Sequence, residues 1–402
     1  MSRKTLVTIG AVIAILLFSL TFVGGVVLGE IVQQHKDQRF VLSQPATAKI
    51  DEVMRVIDHA YVDRVSEKTM VDGAVKGIIE SLDDPFTHYL DAKYFKSFKE
   101  ETSGHFDGVG IVVSAKNGEL VVVSPIDGTP ASKAGIKAND VIIKINNKPT
   151  KGMDTDKAVD MIRGKAGTKV TLAIRREGVK DPLTFELTRE QINIPNVVSK
   201  KLDGNIGYAR VHEFNERTST DLKEQYDNLK AQGIKGFILD LRDNPGGLLD
   251  EAVNVGSIWI EKGPIIKIKD RYGSIETRDA NGGADTKMPL VVLINKGSAS
   301  ASEIVSGALQ DYGRAVIIGE TSFGKASVQT VINLSDGSGL LLTTDKYLTP
   351  KGRMIHKKGI KPDIVVKFDD KAIAHGQDNQ LDKAKEIIRE LISGKYELKA
   401  AS

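Results

Sequence analysis

The chain has 402 residues, of which 41% are hydrophobic and 27% are charged, which excludes both a disordered chain and a polytopic membrane protein. The length suits two or three globular domains, and a net charge of +3 argues against nucleic-acid binding. Because cysteine is absent, disulfides, thiol nucleophiles and thiolate metal sites are excluded. Any nucleophile must therefore be an oxygen or an amine.

The first feature along the chain is an uncharged segment at residues 5–29, long enough as a helix to cross a hydrocarbon core of ~30 Å. A cleaved signal peptide is the alternative, but it would need a shorter apolar region followed closely by small residues. The only Ala-x-Ala, at residues 46–48, lies too far downstream. We therefore expect an uncleaved signal anchor, with Arg3 and Lys4 in the cytoplasm and the rest of the protein outside it.

Two amphipathic helices are predicted next, because apolar residues recur at helical spacing between residues 50 and 82, before Pro85. They place an N-terminal helical region at residues 30–100. From Phe106 onward the pattern changes to short strands bounded by Gly, Pro or Asn, interrupted by helical stretches at 130–134 and 155–162. This mixture predicts a small α+β domain at residues 101–188.

An α/β domain is predicted at residues 189–368, because strands and helices alternate from Gly204 onward and buried apolar runs follow. A last helix with one apolar face belongs to residues 369–402. The apolar stripes at 50–82 and 380–393 have no assigned place in the α/β core, which predicts that they pack on partner subunits as well as on the body of the protein, giving at least a homodimer. Packing of these stripes within the chain is the alternative. The predicted strands and helix of this domain are 206–211, 219–232, 236–241, 290–294 and 315–318.

One candidate site is the segment 319–326, which follows a predicted strand and nearly matches the phosphate-binding loop G-x-x-x-x-G-K-[ST]. However, Ala326 stands where a Mg²⁺-binding hydroxyl is required. The residues after Lys325 alternate like a strand, so no helix N-terminus would face the phosphates. A nucleotide hydrolase is kept only as an alternative. No H-E-x-x-H motif and no cluster with metal-ligand spacing occurs, so neither a metal nor another cofactor is expected.

A second candidate is Ser300, where a buried strand runs through small residues into a helix that starts with a Ser-x-x-Glu pattern. Lys325 follows the next strand, and the loops after parallel strands gather at one edge of a sheet. A neutral lysine could accept the serine proton if burial, for example by Phe323, lowers its pKa from ~10.4 toward ~7–8. The alternatives are that Ser300 only caps the helix, or that His212 or His356 activates it.

The segment 240–247 adds a third element, since its paired glycines after a strand can point backbone amides into a cleft and hold an oxyanion. A tight turn without function is the alternative reading of these glycines.

The segments 240–247, 298–304 and 322–329 together resemble the three signatures of the carboxyl-terminal processing peptidases, which are PDZ-containing tail-specific serine proteases. The resemblance extends from about Ile50 to Val366. It implies a ClpP/crotonase-like α/β core with an inserted PDZ domain and flanking helical arms. The implied active-site residues are Ser300 as nucleophile, Lys325 as general base, Gln329 to position the lysine, and the amides of Gly246 and Ala301 as the oxyanion hole.

Residues 106–111 and 128–140 similarly resemble a circularly permuted PDZ domain. In such a domain, glycine-loop amides cradle a chain-terminal carboxylate while the peptide adds as a strand beside residues 111–113. The helix at 155–162 would wall the groove, and Arg163 at its end is a candidate gating contact to the catalytic domain. The implied peptide-binding residues are Gly108, Val109, Gly110, Ile111 and Ile162.

The combined expectation is a membrane-anchored, extracytoplasmic serine endopeptidase that acts through a Ser–Lys dyad and an acyl-enzyme. Its substrates would be proteins or peptides with exposed C-terminal tails, selected and gated by the PDZ domain. A catalytically silent PDZ adaptor and a chaperone are the remaining alternatives.

Overall fold

The computed structural model describes residues 42–116, 118–369 and 377–398. Within these ranges no helix combines the length and the apolar character needed to cross a bilayer. The predicted anchor at residues 5–29 lies outside the described residues. The chain divides into two compact units, with the boundary after Gly77.

The first unit contains helix α1 (Gln44–Ala60) and most of helix α2 (Glu67–Glu80), close to the two helices that apolar spacing predicts. A proline in the first turn of α1 fits there, because the first helical N–H groups have no partner within the helix. Neither helix has a buried residue, and their facing apolar side chains line an open groove that includes Ile50, Val53 and Met70.

The second unit begins with strand β1 (His88–Leu90) and helix α3 (Ala92–Ser103). Asp91 caps α3 by accepting a hydrogen bond from the Tyr94 N–H at 3.0 Å. Gly104 ends the helix in the left-handed conformation, with φ of 71°.

The predicted PDZ region forms a sheet in the order β3-β4-β5-β7-β8, in which β6 also pairs with β5, and a separate two-stranded ladder of β2 with β9. Strand β3 pairs only with β4 among the described residues, so its other edge is open to strand addition. The predicted helix at 155–162 is confirmed as α5. The elements are β2 (His105–Gly108), β3 (Ile111–Lys116), β4 (Glu119–Pro125), α4 (Pro130–Lys133), β5 (Val141–Ile145), β6 (Lys148–Pro149), α5 (Thr155–Ile162), β7 (Lys169–Arg175), β8 (Leu183–Thr188) and β9 (Glu190–Asn193).

The peptidase region contains a central sheet in the order β10-β11-β12-β15-β16-β19, whose pairs are parallel from β11 onward. A second sheet has the order β1-β18-β13-β14, with β17 also paired to β18. The α/β order predicted from the sequence is confirmed. The elements are β10 (Val197–Leu202), β11 (Ile206–Val211), α6 (Thr218–Ala231), β12 (Gly236–Asp240), α7 (Leu249–Ser257), β13 (Pro264–Lys269), β14 (Ile275–Asp279), β15 (Leu290–Ile294), α8 (Ala301–Asp311), β16 (Val316–Gly319), β17 (Ser327–Asn333), β18 (Gly339–Leu348), β19 (Ile364–Val365) and α9 (Asn379–Ser393).

The two faces of the central sheet pack against different helices, because alternate strand residues point to opposite sides. Phe237 and Leu239 belong to the core that contains α6, α7 and α8, whereas Ile238 belongs to the core that contains α9. Ala384, Ile387 and Ile388 of α9 are buried there. The stripe at residues 380–393 therefore packs on the body of its own chain, and its additional contact with a partner subunit stays a prediction.

Candidate active site

Ser300 lies between β15 and α8 and is the N-cap residue of α8. Its φ of 50° and ψ of −111° are strained for a side chain with a Cβ atom, and such strain is often found at functional sites. The small residues before it are needed because the turn packs closely: a Cβ on Gly297 would lie 2.8 Å from the Cα of Asp243. The Ser298 hydroxyl fixes the turn by donating to the Leu241 carbonyl at 2.7 Å.

Lys325 lies in the loop between β16 and β17, and its Nζ lies 4.8 Å above the centroid of the Phe86 ring. Burial lowers the pKa of Lys325, while the carboxylates of Asp84 and Glu303 oppose this shift. The direction is the one that a general base requires. The expected source of burial was wrong: Phe323 is 58% exposed, and Phe86 from the segment before β1 covers the lysine instead.

The backbones of Ser300 and Lys325 are joined by the buried carboxylate of Glu303. Its Oε2 accepts from the Ser300 N–H at 3.0 Å and from the Lys325 N–H at 2.9 Å. Its Oε1 accepts from the Gly324 N–H at 2.7 Å and from the Ser322 hydroxyl. The predicted Ser-x-x-Glu pattern therefore does more than begin a helix, because it also holds the lysine loop against the serine turn.

The hydrogen bonds to Glu303 also argue against a phosphate-binding loop at residues 319–326. The amides of Gly324 and Lys325 already donate to Glu303, and the residues after Lys325 form strand β17 rather than a helix. No helix N-terminus or free amide pair of this loop faces a phosphate. The nucleotide-hydrolase alternative is therefore wrong.

Ser300, Lys325 and Gln329 line one cavity. No hydrogen bond joins Ser300 Oγ to Lys325 Nζ among the described residues. The Gln329 amide nitrogen donates to Ser327 Oγ at 2.9 Å and to Thr343 Oγ1 at 3.4 Å, and no hydrogen bond from Lys325 Nζ to the Gln329 amide oxygen occurs among the described residues. The walls of the cavity are mainly apolar and include Phe86, Phe98, Leu248, Ile304 and Val331.

The amides expected for the oxyanion hole lie beside Ser300, but they differ in whether their N–H groups are free to donate. Ala301 begins α8, and its N–H has no hydrogen-bond partner within the described part of the chain. Gly246 packs against Ser300 so closely that a Cβ on it would lie 2.7 Å from the serine Cβ. However, the Gly246 N–H donates to Asn244 Oδ1 at 2.9 Å. In this structure Ala301 therefore offers a free donor and Gly246 does not.

An ion network at the start of the same loop was not predicted from the sequence. The Arg242 guanidinium is buried and donates to both Asp240 and Asp378, with its closest contacts at 2.6 Å and 2.7 Å. Tyr208 also donates to Asp240, at 2.8 Å. Since Asp378 is the N-cap of α9, the C-terminal helix is fastened to the loop that leads to Gly246.

Comparison with known proteins shows which family has this arrangement. A family model described as peptidase family S41 matches residues 205–366, a PDZ-domain model matches 121–176, and a model of the activating protease CtpB N-terminal domain matches 27–94. The carboxy-terminal processing protease CtpA of Bacillus subtilis is 44% identical over 325 residues, which cover 81% of this chain and 70% of the relative. The chain belongs to peptidase family S41.

A second relative agrees with this assignment. A carboxy-terminal-processing protease of Bartonella bacilliformis is also 44% identical, over 79% of this chain and 74% of the relative. Among solved structures, the photosystem II D1 C-terminal processing protease is similar at 32% identity and a TM-score of 0.47, covering 81% of this chain and 94% of that one. The family models and the two relatives show that the S41 chain is a serine-type peptidase with a PDZ domain, as the sequence motifs predicted.

The S41 peptidase has a second cavity in its PDZ domain, which brings together all the residues predicted to bind a peptide tail. They are Gly108, Val109, Gly110, Ile111 and Ile162. Gly110 has a φ of 75°, and a Cβ on it would lie 2.3 Å from the Thr129 Cβ, so the loop requires glycine there.

Arg163 borders this groove of the S41 peptidase. It forms an ion pair with Glu100 on α3, and its guanidinium lies 4.7 Å from the centroid of the Phe106 ring. The sequence suggested a contact with the catalytic domain at residues 189–368. The contact that the structure provides is instead with the helix that precedes the PDZ domain.

The two histidines that are the alternative candidate bases, His212 and His356, do not line the cavity that contains Ser300. His212 is exposed and His356 is partly buried, and neither lines the cavity around Ser300. The histidine that lines it is His88 of β1. Among the described residues, no three His, Asp or Glu side chains are grouped to hold a metal ion.

Proposed function

We propose that this S41 peptidase is a membrane-anchored, extracytoplasmic endopeptidase that cleaves proteins near their C-termini with a Ser300–Lys325 dyad. The observation that carries the proposal is the cavity shared by Ser300 and Lys325, whose backbones are both bound to Glu303. Burial lowers the pKa of Lys325, so a larger fraction of the amine is neutral and able to accept a proton.

In the proposed mechanism, Lys325 Nζ takes the Ser300 hydroxyl proton while Oγ attacks the scissile carbonyl carbon. The carbonyl oxygen becomes an oxyanion, which the Ala301 N–H stabilises. Gly246 becomes the second donor when its N–H leaves Asn244 Oδ1. The lysine ammonium then protonates the leaving amine, and an acyl-enzyme remains on Ser300. Lys325 then deprotonates a water molecule, which attacks the ester carbonyl carbon. The ester C–O bond breaks, the lysine ammonium returns the proton to Ser300 Oγ, and the shortened substrate leaves with a new C-terminal carboxyl group.

The PDZ groove is proposed to select substrates by their tails. Its glycine loop can bind a terminal carboxylate, and the open edge of β3 can accept the tail as an added strand. Arg163 borders this groove and forms an ion pair with Glu100. The terminal carboxylate of an incoming tail would therefore compete with Glu100 for the Arg163 guanidinium. A bound tail would thereby bias the position of the PDZ domain and gate the peptidase.

A dimer is part of the same proposal. The groove between α1 and α2 is its candidate contact, because none of the apolar side chains that line the groove is buried. A second copy of this chain is the proposed occupant.

The dyad is tested with Ser300→Ala, Lys325→Ala and Lys325→Arg, assayed on a purified protein substrate with an apolar C-terminal tail. We expect each variant to lose hydrolysis while retaining the far-UV spectrum and melting temperature of the wild type. Arginine fails because its pKa exceeds ~12, so it does not accept a proton. His212→Ala and His356→Ala are matched controls and should keep wild-type turnover. Normal turnover by Lys325→Arg would refute the dyad.

The proposed location is tested separately, with a single cysteine introduced at Ser402, since the native chain has none. An impermeant maleimide should label this cysteine in intact cells. Labelling only after lysis would place the catalytic domain in the cytoplasm and refute the orientation of the anchor.

A further inference from the structure

Phe86 forms part of the immediate surroundings of Lys325. The lysine Nζ lies 4.8 Å from the ring centroid, within the ~6 Å at which an ammonium is attracted to the negative face of an aromatic ring. Both residues line the cavity that contains Ser300. The S41 family model, at residues 205–366, does not include Phe86, which lies before the PDZ domain in the segment matched by the CtpB N-terminal-domain model, residues 27–94.

The ring is held over the lysine by attachments on both sides. The Phe86 N–H donates to Asp84 Oδ1 at 3.1 Å, and the Thr87 hydroxyl donates to Asp84 Oδ2 at 2.7 Å. The same hydroxyl accepts from the Thr343 N–H of β18 at 3.1 Å. Directly after Thr87, strand β1 pairs with β18 through the register His88↔Leu341. Phe86 is therefore fixed to the sheet that contains β17, the strand that begins two residues after Lys325.

Two charged groups act on Lys325 from different elements, and both favour its ammonium form. Asp84 belongs to the same segment as Phe86, and Glu303 belongs to α8. His88 of β1 and Tyr347 of β18 are the other titratable side chains that line the cavity. Burial acts against the ammonium and is the strongest influence on the lysine. The ring contributes to both effects, since its face attracts a cation and its volume excludes water.

We propose that Phe86 is a positioning residue that sets the proton affinity of Lys325, by stabilising the ammonium formed during attack and by keeping water away from the amine. The inference rests on the proposed Ser300–Lys325 dyad. Charge appears at Nζ as the serine proton is transferred, and a ring already in place stabilises that charge without reorganisation. Water would also stabilise it, but would keep the resting lysine protonated and unable to act as a base.

The test uses the purified full chain with Phe86→Leu, Phe86→Tyr and Phe86→Ala. For each variant, kcat/KM for a tail-bearing peptide is measured as a function of pH. The acid limb of this pH profile reports the pKa of the base in the free enzyme. Leucine keeps most of the volume but has no aromatic face, so the limb should move to lower pH by about half a unit to one unit. Tyrosine keeps the face and should restore the wild-type limb. Alanine admits water and should move the limb to higher pH.

Two further variants separate the possible failures. Phe98→Leu is the matched control, because Phe98 lines the same cavity but does not stack on the lysine. The acid limb of this variant's pH profile should stay at the wild-type pH even if its KM changes. Lys325→Ala tests the dyad itself. If Lys325→Ala is inactive and the limbs of Phe86→Leu and Phe86→Ala equal that of the wild type, the role of Phe86 is refuted and the dyad stands. If Lys325→Ala remains active, the dyad fails, and the inference fails with it.

Discussion

Replacing Glu303 with glutamine should lower both the stability of the protein and its peptidase activity. The substitution changes one oxygen of the carboxylate that binds the Ser300 turn and the Lys325 loop. In the wild type each oxygen accepts two hydrogen bonds: Oε2 from the N–H groups of Ser300 and Lys325, and Oε1 from the Gly324 N–H and the Ser322 hydroxyl. Glutamine has the same shape but only one acceptor oxygen.

The magnitude follows from which donors lose their acceptor. If the new NH₂ group takes the place of Oε1, the Ser322 hydroxyl can rotate and only the Gly324 N–H is left unpaired. If it takes the place of Oε2, the N–H groups of Ser300 and Lys325 are both left unpaired. A buried donor without an acceptor costs about 1–3 kcal/mol, so the better orientation lowers the free energy of unfolding by about that amount. Loosening of the two loops should reduce kcat by about 10–100-fold, because small displacements of reacting groups have effects of that order.

The assay combines urea unfolding with steady-state kinetics on a tail-bearing peptide. Glu251→Gln is the matched control, since the Glu251 carboxylate accepts from the Ser219 N–H at 2.7 Å and from Asn254 Nδ2 at 3.0 Å, and does not line the catalytic cavity. It should lose a similar amount of stability and keep the wild-type kcat. If Glu303→Gln turns over substrate as fast as Glu251→Gln, the reasoning about the joined loops is refuted.

Four further predictions concern other contacts. Tyr347→Phe removes a hydroxyl that donates to the Lys325 carbonyl at 2.6 Å, and should lower the free energy of unfolding by about 1 kcal/mol in urea titrations. Burial opposes the ionisation of Asp378, but its hydrogen bonds from Arg242 prevail and hold its pKa below the usual value. This pair stabilises the protein above the unfolded-state pKa of ~3.9, and the stability is lost as the pH falls through the lower folded value. Asp378→Asn should therefore show a weaker fall of stability below about pH 4 in acid titrations, and an unchanged fall would contradict the assignment. Glu100→Gln weakens the hold on Arg163 and should lower the tail concentration needed for half-maximal peptidase activation. Glu101→Gln removes the same charge from the next residue of this helix, which forms no ion pair with Arg163 among the described residues, and should not. The soluble fragment from Gln38 onward should sediment as a dimer at micromolar concentration and Val53→Asp as a monomer, and a wild-type monomer would contradict the proposed occupant of the α1–α2 groove.

Local patterns predicted the features that depend on neighbouring residues in the chain. The helix after Ser300 begins where the Ser-x-x-Glu pattern indicated, because capping involves residues only three positions apart. Helix α5 (Thr155–Ile162) likewise follows from its apolar spacing. The position of Ser300 and Lys325 in one cavity was inferred from the rule that loops gather at strand ends, and the structure places them so.

Contacts made by residues far apart in the chain were not predictable in this way. The sequence favours Phe323 as the side chain that buries Lys325, because the two residues are close in the chain. The pairing of β1 with β18 instead brings Phe86 over the lysine. Arg242 and Asp378 are 136 positions apart and meet only because α9 packs on the sheet. The engagement of the Gly246 N–H depends on the conformation of the Asn244 side chain, which no residue pattern encodes.

The pairing of β1 with β18 also bears on when the enzyme can first become active. The contact between Thr87 and Thr343 joins residues 256 positions apart, so it forms only after β18 has been synthesised. Pairing over such a distance is slow, because the entropy of closing a long loop must be overcome first. Until it forms, the lysine has no aromatic cover and water reaches its amine. If Lys325 is the base, as proposed, a newly made or incompletely folded chain would hold it protonated, and would be unable to digest itself or its neighbours before the fold is complete.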